Sequence, residues 1–248
     1  MMIDNLVKEI KKAKSIVFFT GAGVSTESGI PDFRSTKGLY LSKYDGYTPE
    51  VIISHSFFYH NPDVFYRFYH DKIVHPEAKP NDFHYGITKF KDMNYDVSVV
   101  TQNIDDLHNI AGNGKVYELH GSISRNNCIK CHKFFNLDYI IANRGKTVRC
   151  DECNSLVKPD VVLYEEQLDQ VIIEQSIQAI IDADVLIVAG TSLSVYPAAS
   201  FIDFYTKNCL CILNKTSTPR DSKADYVFYD SCSVVLNKII EKLERNNE

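Results

Sequence analysis

The chain has 248 residues, 44% hydrophobic and 24% charged, which predicts one large or two modest domains of about 100–200 residues and excludes a disordered chain. No apolar run approaches the ~18–20 residues of a membrane-spanning helix, and Met1-Met2-Ile3-Asp4-Asn5 reads as no secretory leader, so a cytoplasmic location is expected. A net charge of -5 argues against nucleic-acid backbone binding, and seven cysteines favour metal ligation or free thiols over a disulfide framework.

Leu6, Val7, Ile10 and Ala13 have helical spacing and Ile16-Val17-Phe18-Phe19 has strand character, so helix gives way to strand near Ser15. That strand stops at Thr20-Gly21-Ala22-Gly23. Residues 35–80 are rich in Tyr, Phe, His and Pro with mostly helical spacing, as in the run from Asn61 to Tyr69. Val97 to Val100 is the next apolar run, ahead of Thr101-Gln102-Asn103. Residues 121–157 carry four of the seven cysteines and break the rhythm again. A helical pattern from Leu168 to Ile181 leads to the apolar run Val185 to Val188 before Gly190-Thr191-Ser192. Leu210 to Leu213 precedes Asn214, and Leu236, Ile239, Ile240 and Leu243 close the chain at helical spacing. Near-continuous apolar strands belong to a parallel sheet covered on both faces. The expected fold class is α/β, a doubly wound Rossmann-like domain from residues 1–34, 81–120 and 158–248. Insertions 35–80 and 121–157 are expected to pack as a smaller zinc-binding domain, leaving a cleft against the sheet.

Cys128-x-x-Cys131 and Cys150-x-x-Cys153, with 18 residues between the pairs, have the spacing of a four-thiolate tetrahedral zinc site; unligated or redox thiols are the alternative. A closed four-sulfur shell leaves no position for water, so this metal is expected to be structural. Cys209, Cys211 and Cys232 are expected as free thiols, the first two flanking or inside a strand.

Gly21-Ala22-Gly23-Val24-Ser25-Thr26 follows a strand, where glycines let backbone N–H groups approach a phosphate at a helix N-terminus. The third glycine of the dinucleotide fingerprint is replaced by Thr26, and no acidic residue closes the next strand ~20 residues on, so a merely tight turn competes with cofactor binding. Gly190-Thr191-Ser192 and Asn214 also lie past strand C-termini, where open α/β sheets bind ligands. Thr101-Gln102-Asn103-Ile104-Asp105-Asp106 supplies two amides and carboxylates, with Glu118-Leu119-His120-Gly121 soon after. By spacing alone His120 reads as a general base or a structural histidine, and Asn103 and Asp105 as site residues or helix caps.

Taken in order from about residue 10 to 235, the run from Gly21 to Ser35, Thr101-Gln102-Asn103-Ile104-Asp105, Leu119-His120-Gly121, both cysteine pairs and Gly190-Thr191-Ser192 resemble the sirtuin family of NAD-dependent protein deacylases, in a bacterial-type member of single-domain length. The resemblance implies NAD as co-substrate and one structural Zn2+ on Cys128, Cys131, Cys150 and Cys153. It implies Ala22, Thr26, Asp32, Phe33 and Arg34 on the phosphate and nicotinamide side, with 31–45 as a mobile loop, and Gln102 on ribose. Asn103, Ile104 and Asp105 form the nicotinamide pocket, Thr191 and Ser192 meet phosphate and ribose, and Asn214 with the backbone near Cys232 meets adenosine. Catalysis is implied for His120, Asn103 and Asp105: nicotinamide leaves, His120 takes a proton from the ribose hydroxyls, and free lysine and O-acetyl-ADP-ribose result.

The implied partners are acetyl-lysine proteins or peptides, with no membrane and no direct nucleic-acid contact. The peptide is implied to lie as a strand between Val161-Val162-Leu163-Tyr164 and Leu193-Ser194-Val195-Tyr196. Where many relatives have Phe-Gly-Glu this chain has Tyr164-Glu165-Glu166, and a carboxylate there predicts basic residues near the modified lysine. Succinyl-removing relatives carry a Tyr-x-x-Arg pair, absent from 35–80 here, where Tyr69 stands three residues after Tyr66; acetyl-lysine is therefore expected over succinyl-lysine. Rival readings are ADP-ribosyl transfer or NAD hydrolysis at the same site, distinguished by the acyl-lysine channel, and a non-catalytic zinc ribbon binding nucleic acid.

Overall fold

The computed structural model describes residues 2–33 and 38–245. A helix at Met2–Lys12 buries Leu6, Val7 and Ile10 and leads into β1, Ser15–Thr20. The other strands of the large sheet are β2 (Asp96–Thr101), β3 (Lys115–Glu118), β7 (Val185–Ala189), β8 (Leu210–Leu213) and β9 (Tyr226–Phe228). All neighbours are parallel, in the order β3-β2-β1-β7-β8-β9. The order reverses between β1 and β7, the place where doubly wound sheets open a ligand crevice.

Alternation along β1 feeds two cores. Ile16 and Phe18 pack with Phe83, Phe90, Leu236 and Ile240, whereas Val17 and Phe19 pack with Ile180, Leu186, Ile202 and Ile212. The helices covering these faces include Asp82–Asp92, Gln170–Asp182 and Cys232–Glu244. The apolar runs read from sequence are β1, β2, β7 and β8. The edge strands β3 and β9 have no such run: Lys115 is exposed, the rest of both strands is only half-buried, and periodicity does not reveal them.

A second, three-stranded antiparallel sheet has the order β5-β4-β6, from Phe134–Asn136, Gly121–Cys128 and Val157–Val161. Its core joins Phe58, Phe65, Tyr66 and Tyr69 to Ile123, Phe135, Val157, Val161 and Leu163. The helical spacing after residue 48 is realised as short pieces, Pro49–Ile52, His55–His60 and Pro62–Phe68, broken by caps and prolines. Ser54 Oγ accepts from Phe57 N (3.3 Å), and Pro62 opens the third piece. That piece runs on into a π-helical turn at Tyr69–Ile73. Among the described residues no helix is long and apolar enough to cross a membrane.

Candidate active site

The C-terminal ends of β1 and β7 open into a cleft of about 1090 Å³. Past β1 the chain enters a seven-residue 3-10 element, Ala22–Ser28, in place of the helix expected there. Gly21 N donates to Ala189 O (3.1 Å) and Gly23 N to Gly190 O (2.8 Å). Gly190 has φ +61, and a Cβ there would lie 2.4 Å from Val24 N. The glycines therefore bring the loops after β1 and β7 into backbone contact at the switch point, a close approach that only glycine permits.

Behind this loop a carboxylate orients an amide. Ser25 Oγ donates to Asp105 Oδ2 (2.6 Å), and Asn103 Nδ2 donates to Ser25 Oγ (3.1 Å) and Gly21 O (3.2 Å). Ser25 has one proton and spends it on the carboxylate, so its oxygen accepts, which assigns Nδ2 of Asn103 to the loop side. Asp105 Oδ1 meanwhile accepts from Leu107 N (3.0 Å), the first residue of the helix Leu107–Ile110, whose N-cap is Asp106. Deeper still, Asn103 N donates to Thr101 Oγ1 (3.0 Å), which is 2.9 Å from Thr20 Oγ1, itself 3.0 Å from His108 Nε2. His108 Nδ1 donates to Asn113 Oδ1 (2.7 Å), and burial depresses its pKa, so the imidazole is neutral.

His120 enters from the turn before β4. The next residue, Gly121, has φ +73, and a Cβ there would lie 1.9 Å from Asp160 O, so no other residue fits this crossing of β4 and β6. His120 Nδ1 is 2.9 Å from Gln102 O. A carbonyl only accepts, so Nδ1 carries the proton and Nε2 keeps its lone pair. Burial lowers the His120 pKa, with the Gln102 bond opposing, and the ring is neutral at pH 7. Gln102 Nε2 in turn donates to Thr191 Oγ1 (3.1 Å), tying the loops after β2 and β7 together.

Ala22, Asp32, Phe33, Gln102, Asn103, Ile104, His120, Thr191, Ser192 and Asn214 all line the cleft. Thr26, Asp105 and Cys232 are not lining residues: Thr26 Oγ1 donates to Gly23 O (2.9 Å), and buried Cys232 has Sγ 3.2 Å from Leu213 O. Arg34 lies outside the described residues. Cys209, Cys211 and Cys232 are free buried thiols, with Cys211 inside β8 and Cys209 flanking it.

The facing wall is Val161 to Tyr164 and Val195 to Pro197. Val162 N donates to His120 O (2.9 Å), Tyr164 N to Ile53 O (3.0 Å) and His55 N to Tyr164 O (2.9 Å). Tyr40 and Tyr164 also meet hydroxyl to hydroxyl at 3.0 Å. Glu165 and Glu166, where a carboxylate is expected to favour basic peptide residues, line the cleft and also hold partners within the chain. Glu165 accepts from Ser56 N and Oγ (both 2.9 Å), and Glu166 meets His55 Nδ1 (2.8 Å), Lys158 Nζ (3.0 Å) and Leu163 N (2.9 Å). Glu165 keeps φ +76, the left-handed region that the family's glycine adopts freely. The sequence does not mark Tyr40, Ile53, Phe65 and Ile73, which line the cleft together with Tyr69, the residue three after Tyr66.

Sγ atoms of Cys128, Cys131, Cys150 and Cys153 all lie within 4.8 Å of one another, the Cys128–Cys153, Cys131–Cys150 and Cys131–Cys153 pairs at 3.3, 3.5 and 3.6 Å. A tetrahedral zinc–thiolate shell has sulfur–sulfur edges of ~3.8 Å, so the four fit one zinc ion with no open position.

A Sir2 family model matches residues 21–197. The chain is 51% identical to an NAD-dependent protein deacetylase of Clostridium acetobutylicum over 96% of this chain and 98% of that one. It is 50% identical to the Clostridium perfringens NAD-dependent protein deacetylase at the same coverage. A structure described for the mechanism and regulation of Sir2 enzymes superposes with a TM-score of 0.88 at 37% identity, covering 99% of this chain and 98% of that one. A Sir2 complex with a p53 peptide and NAD+ superposes at 0.85 with 34% identity, covering 98% of each chain. The chain belongs to the Sir2 family, as the sirtuin resemblance of its motifs implies.

Proposed function

We propose that this chain is an NAD-dependent protein-lysine deacetylase that yields nicotinamide, O-acetyl-ADP-ribose and free lysine. The observation that carries the reading is His120: its Nδ1 proton is committed to Gln102 O and its ring is kept neutral by burial, in a cleft lined also by the Gly21–Gly23 loop and by Val161 to Tyr164. NAD supplies a ribose carbon that becomes electrophilic as nicotinamide departs. Asn103, its amide fixed by Ser25 and Asp105, and Ile104 hold the departing amide, and Gln102 and Thr191 position the ribose. Ala22, Asp32, Phe33, Arg34 and Ser192 complete the phosphate and nicotinamide side, and Asn214 serves the adenosine end. In this reading Thr26, Asp105 and Cys232 act by shaping the loop, the amide and the backbone behind the cleft. The acyl oxygen would bond to the ribose carbon that nicotinamide leaves, His120 Nε2 would accept a proton from the ribose hydroxyls so that the freed oxygen bonds to the acyl carbon, and one water would complete release of lysine and O-acetyl-ADP-ribose.

Because the neutral imidazole is the active form and its pKa is depressed, kcat/KM stays level as pH falls to the ordinary imidazole value of about 6.5 and declines below it. Zinc on the four cysteines supplies a structural cross-link and takes no part in the reaction. The accompanying readings are a small domain formed by 35–80 and 121–157, extended past the boundary expected at 157 because β6 runs on to Val161 in the second sheet, a reducing cytoplasmic location, supported by seven cysteines of which none is in a disulfide, and no direct nucleic-acid contact, supported by the net charge of -5. His120→Ala tests the mechanism. Turnover of an acetylated peptide should fall at least ~100-fold with unchanged thermal stability, and near wild-type turnover removes His120 from the reaction.

A further inference from the structure

Thr20 and Thr101 end β1 and β2 and are partners in register, so both stand at the C-terminal edge from which the cleft opens. Thr20 falls on the face of β1 that carries Ile16 and Phe18. That face is apolar along the strand, yet at its end it buries a polar set, Thr20, Thr101, His108 and Asn113. Buried polar groups are tolerated when each has its partner, and every member of this set has one.

The directions of these bonds follow from the acceptors at the far end. Asn113 Nδ2 donates to His84 O (2.7 Å) and to Thr88 Oγ1 (2.9 Å), whose own proton goes to Ala111 O (2.8 Å). Asn113 Oδ1 is thereby left for His108 Nδ1, which carries the proton. His108 Nε2 holds the lone pair and accepts from Thr20 Oγ1, and Thr20, its one proton spent, accepts from Thr101 Oγ1. Thr101 likewise has one proton, so its oxygen receives the Asn103 N–H. The bonds run one way, from the Asn103 backbone to His108 and on into the helix Asp82–Asp92. Neither threonine hydroxyl has a further partner among the described residues. The same helix opens at Asn81, whose Nδ2 donates to Val24 O (2.8 Å) and Ser28 Oγ (2.9 Å), so the anchor of the relay also grips the loop after β1. Thr20, Thr101 and His108 do not line the cleft, and their hydrogen-bonded link to it is Asn103.

We propose that His108 is a positioning residue for NAD cleavage: as terminal acceptor of this relay it fixes the Asn103 backbone, while Ser25 and Gly21 fix the Asn103 amide, so that departing nicotinamide meets that amide in one orientation. This rests on the deacylase reading and adds a residue to its site. Without the Nε2 acceptor the Thr20 proton turns to Thr101 Oγ1, the Thr101 proton is buried with no acceptor, and the Asn103 N–H loses its fixed partner.

Exchange of labelled nicotinamide into NAD, run with an acetylated peptide, reads the cleavage step, and peptide Kd without NAD reads the opposite wall. His108→Phe should slow exchange about 5- to 30-fold and leave peptide Kd within about 2-fold. His108→Gln, which keeps an acceptor oxygen for Thr20, should regain much of the loss. Thr101→Ser should match wild type, and Thr101→Val should be as slow as His108→Phe, with the double variant no slower than either. Unchanged exchange in folded His108→Phe, no recovery in His108→Gln, losses that multiply in the double variant, or an equal loss in peptide binding overturns the proposal. If His108→Phe does not fold, Thr20→Val decides: Asn103 does not touch that hydroxyl, so a loss equal to that of Thr101→Val upholds the relay and wild-type exchange overturns it. Active wild type with indifferent variants defeats only the His108 assignment, whereas wild type with neither exchange nor NAD-dependent deacetylation defeats the deacylase reading as well.

Discussion

Along β1 every residue after Ser15 is buried, and the strand needs nothing but apolar neighbours on its two faces. Along β4, Gly-Ser-Ile-Ser-Arg-Asn-Asn-Cys, apolar side chains are few, the register with β6 shifts between Ser122 and Asn126, and the strand ends in a cysteine. Fully burying each Val, Leu, Ile or Phe is worth roughly 1.5–3 kcal/mol, and the large sheet accumulates many such terms. The second sheet has three strands, one of three residues, and closes instead on aromatic packing and four thiolates. The cleft lies where these two solutions meet, its Gly21, Gly23 and Thr191 side following strands of the large sheet and its Phe65, Tyr69 and Val161 side belonging to the second core.

The largest expected effect breaks that pairing. Cys150→Ala should lose the metal entirely and melt the region of β4, β5 and β6. Amide exchange should show protection lost there while β1, β2, β7 and β8 stay protected. Uniform loss across both sheets, or less than about half an equivalent of zinc in unchelated wild-type protein, contradicts a separately metal-held unit.

An acid titration probes the other half next. His84 and His108 pack against each other, ring centroids 4.8 Å apart, beneath the large sheet. Burial pushes His84 down to about 3 and lowers His108. Above pH ~6.5 both are neutral folded or unfolded; below it the unfolded chain takes up protons that the folded one refuses, so stability falls as pH falls. Urea unfolding should give a folding free energy about 2–4 kcal/mol smaller at pH 5 than at pH 7, and equal values at the two pH values contradict the neutral buried pair.

Glu165→Gly has the smallest expected effect. It relieves a left-handed backbone and removes two hydrogen bonds to Ser56, terms of similar size and opposite sign. The melting temperature should move by no more than the equivalent of ~1 kcal/mol. A larger loss assigns the joint between Ser56 and the cleft wall mainly to that carboxylate.

Legibility followed the same division. Four strands of the large sheet announce themselves as apolar runs, and the cysteine pairs announce a metal site, because both signals are local. Asp105 is visible as a carboxylate at the right spacing, but its hold on Ser25 depends on how the loops after β1 and β2 meet, which no spacing encodes. The same holds for the bonds of Glu165 and Glu166 to Ser56, His55 and Lys158, neighbours only after Tyr164 pairs with residues 53–55. The π turn at Tyr69 follows a helical pattern without interruption in sequence, so nothing in the periodicity marks it.

The central claim is tested most directly by mass balance. Purified protein is incubated with one acetyl-lysine peptide, with and without NAD, and all products are quantified by mass spectrometry. Deacetylated peptide, nicotinamide and O-acetyl-ADP-ribose should appear in equal amounts and only with NAD. Nicotinamide released while the peptide keeps its acetyl group, or a peptide that gains ADP-ribose, contradicts deacetylation and assigns the cleft to NAD hydrolysis or ADP-ribosyl transfer.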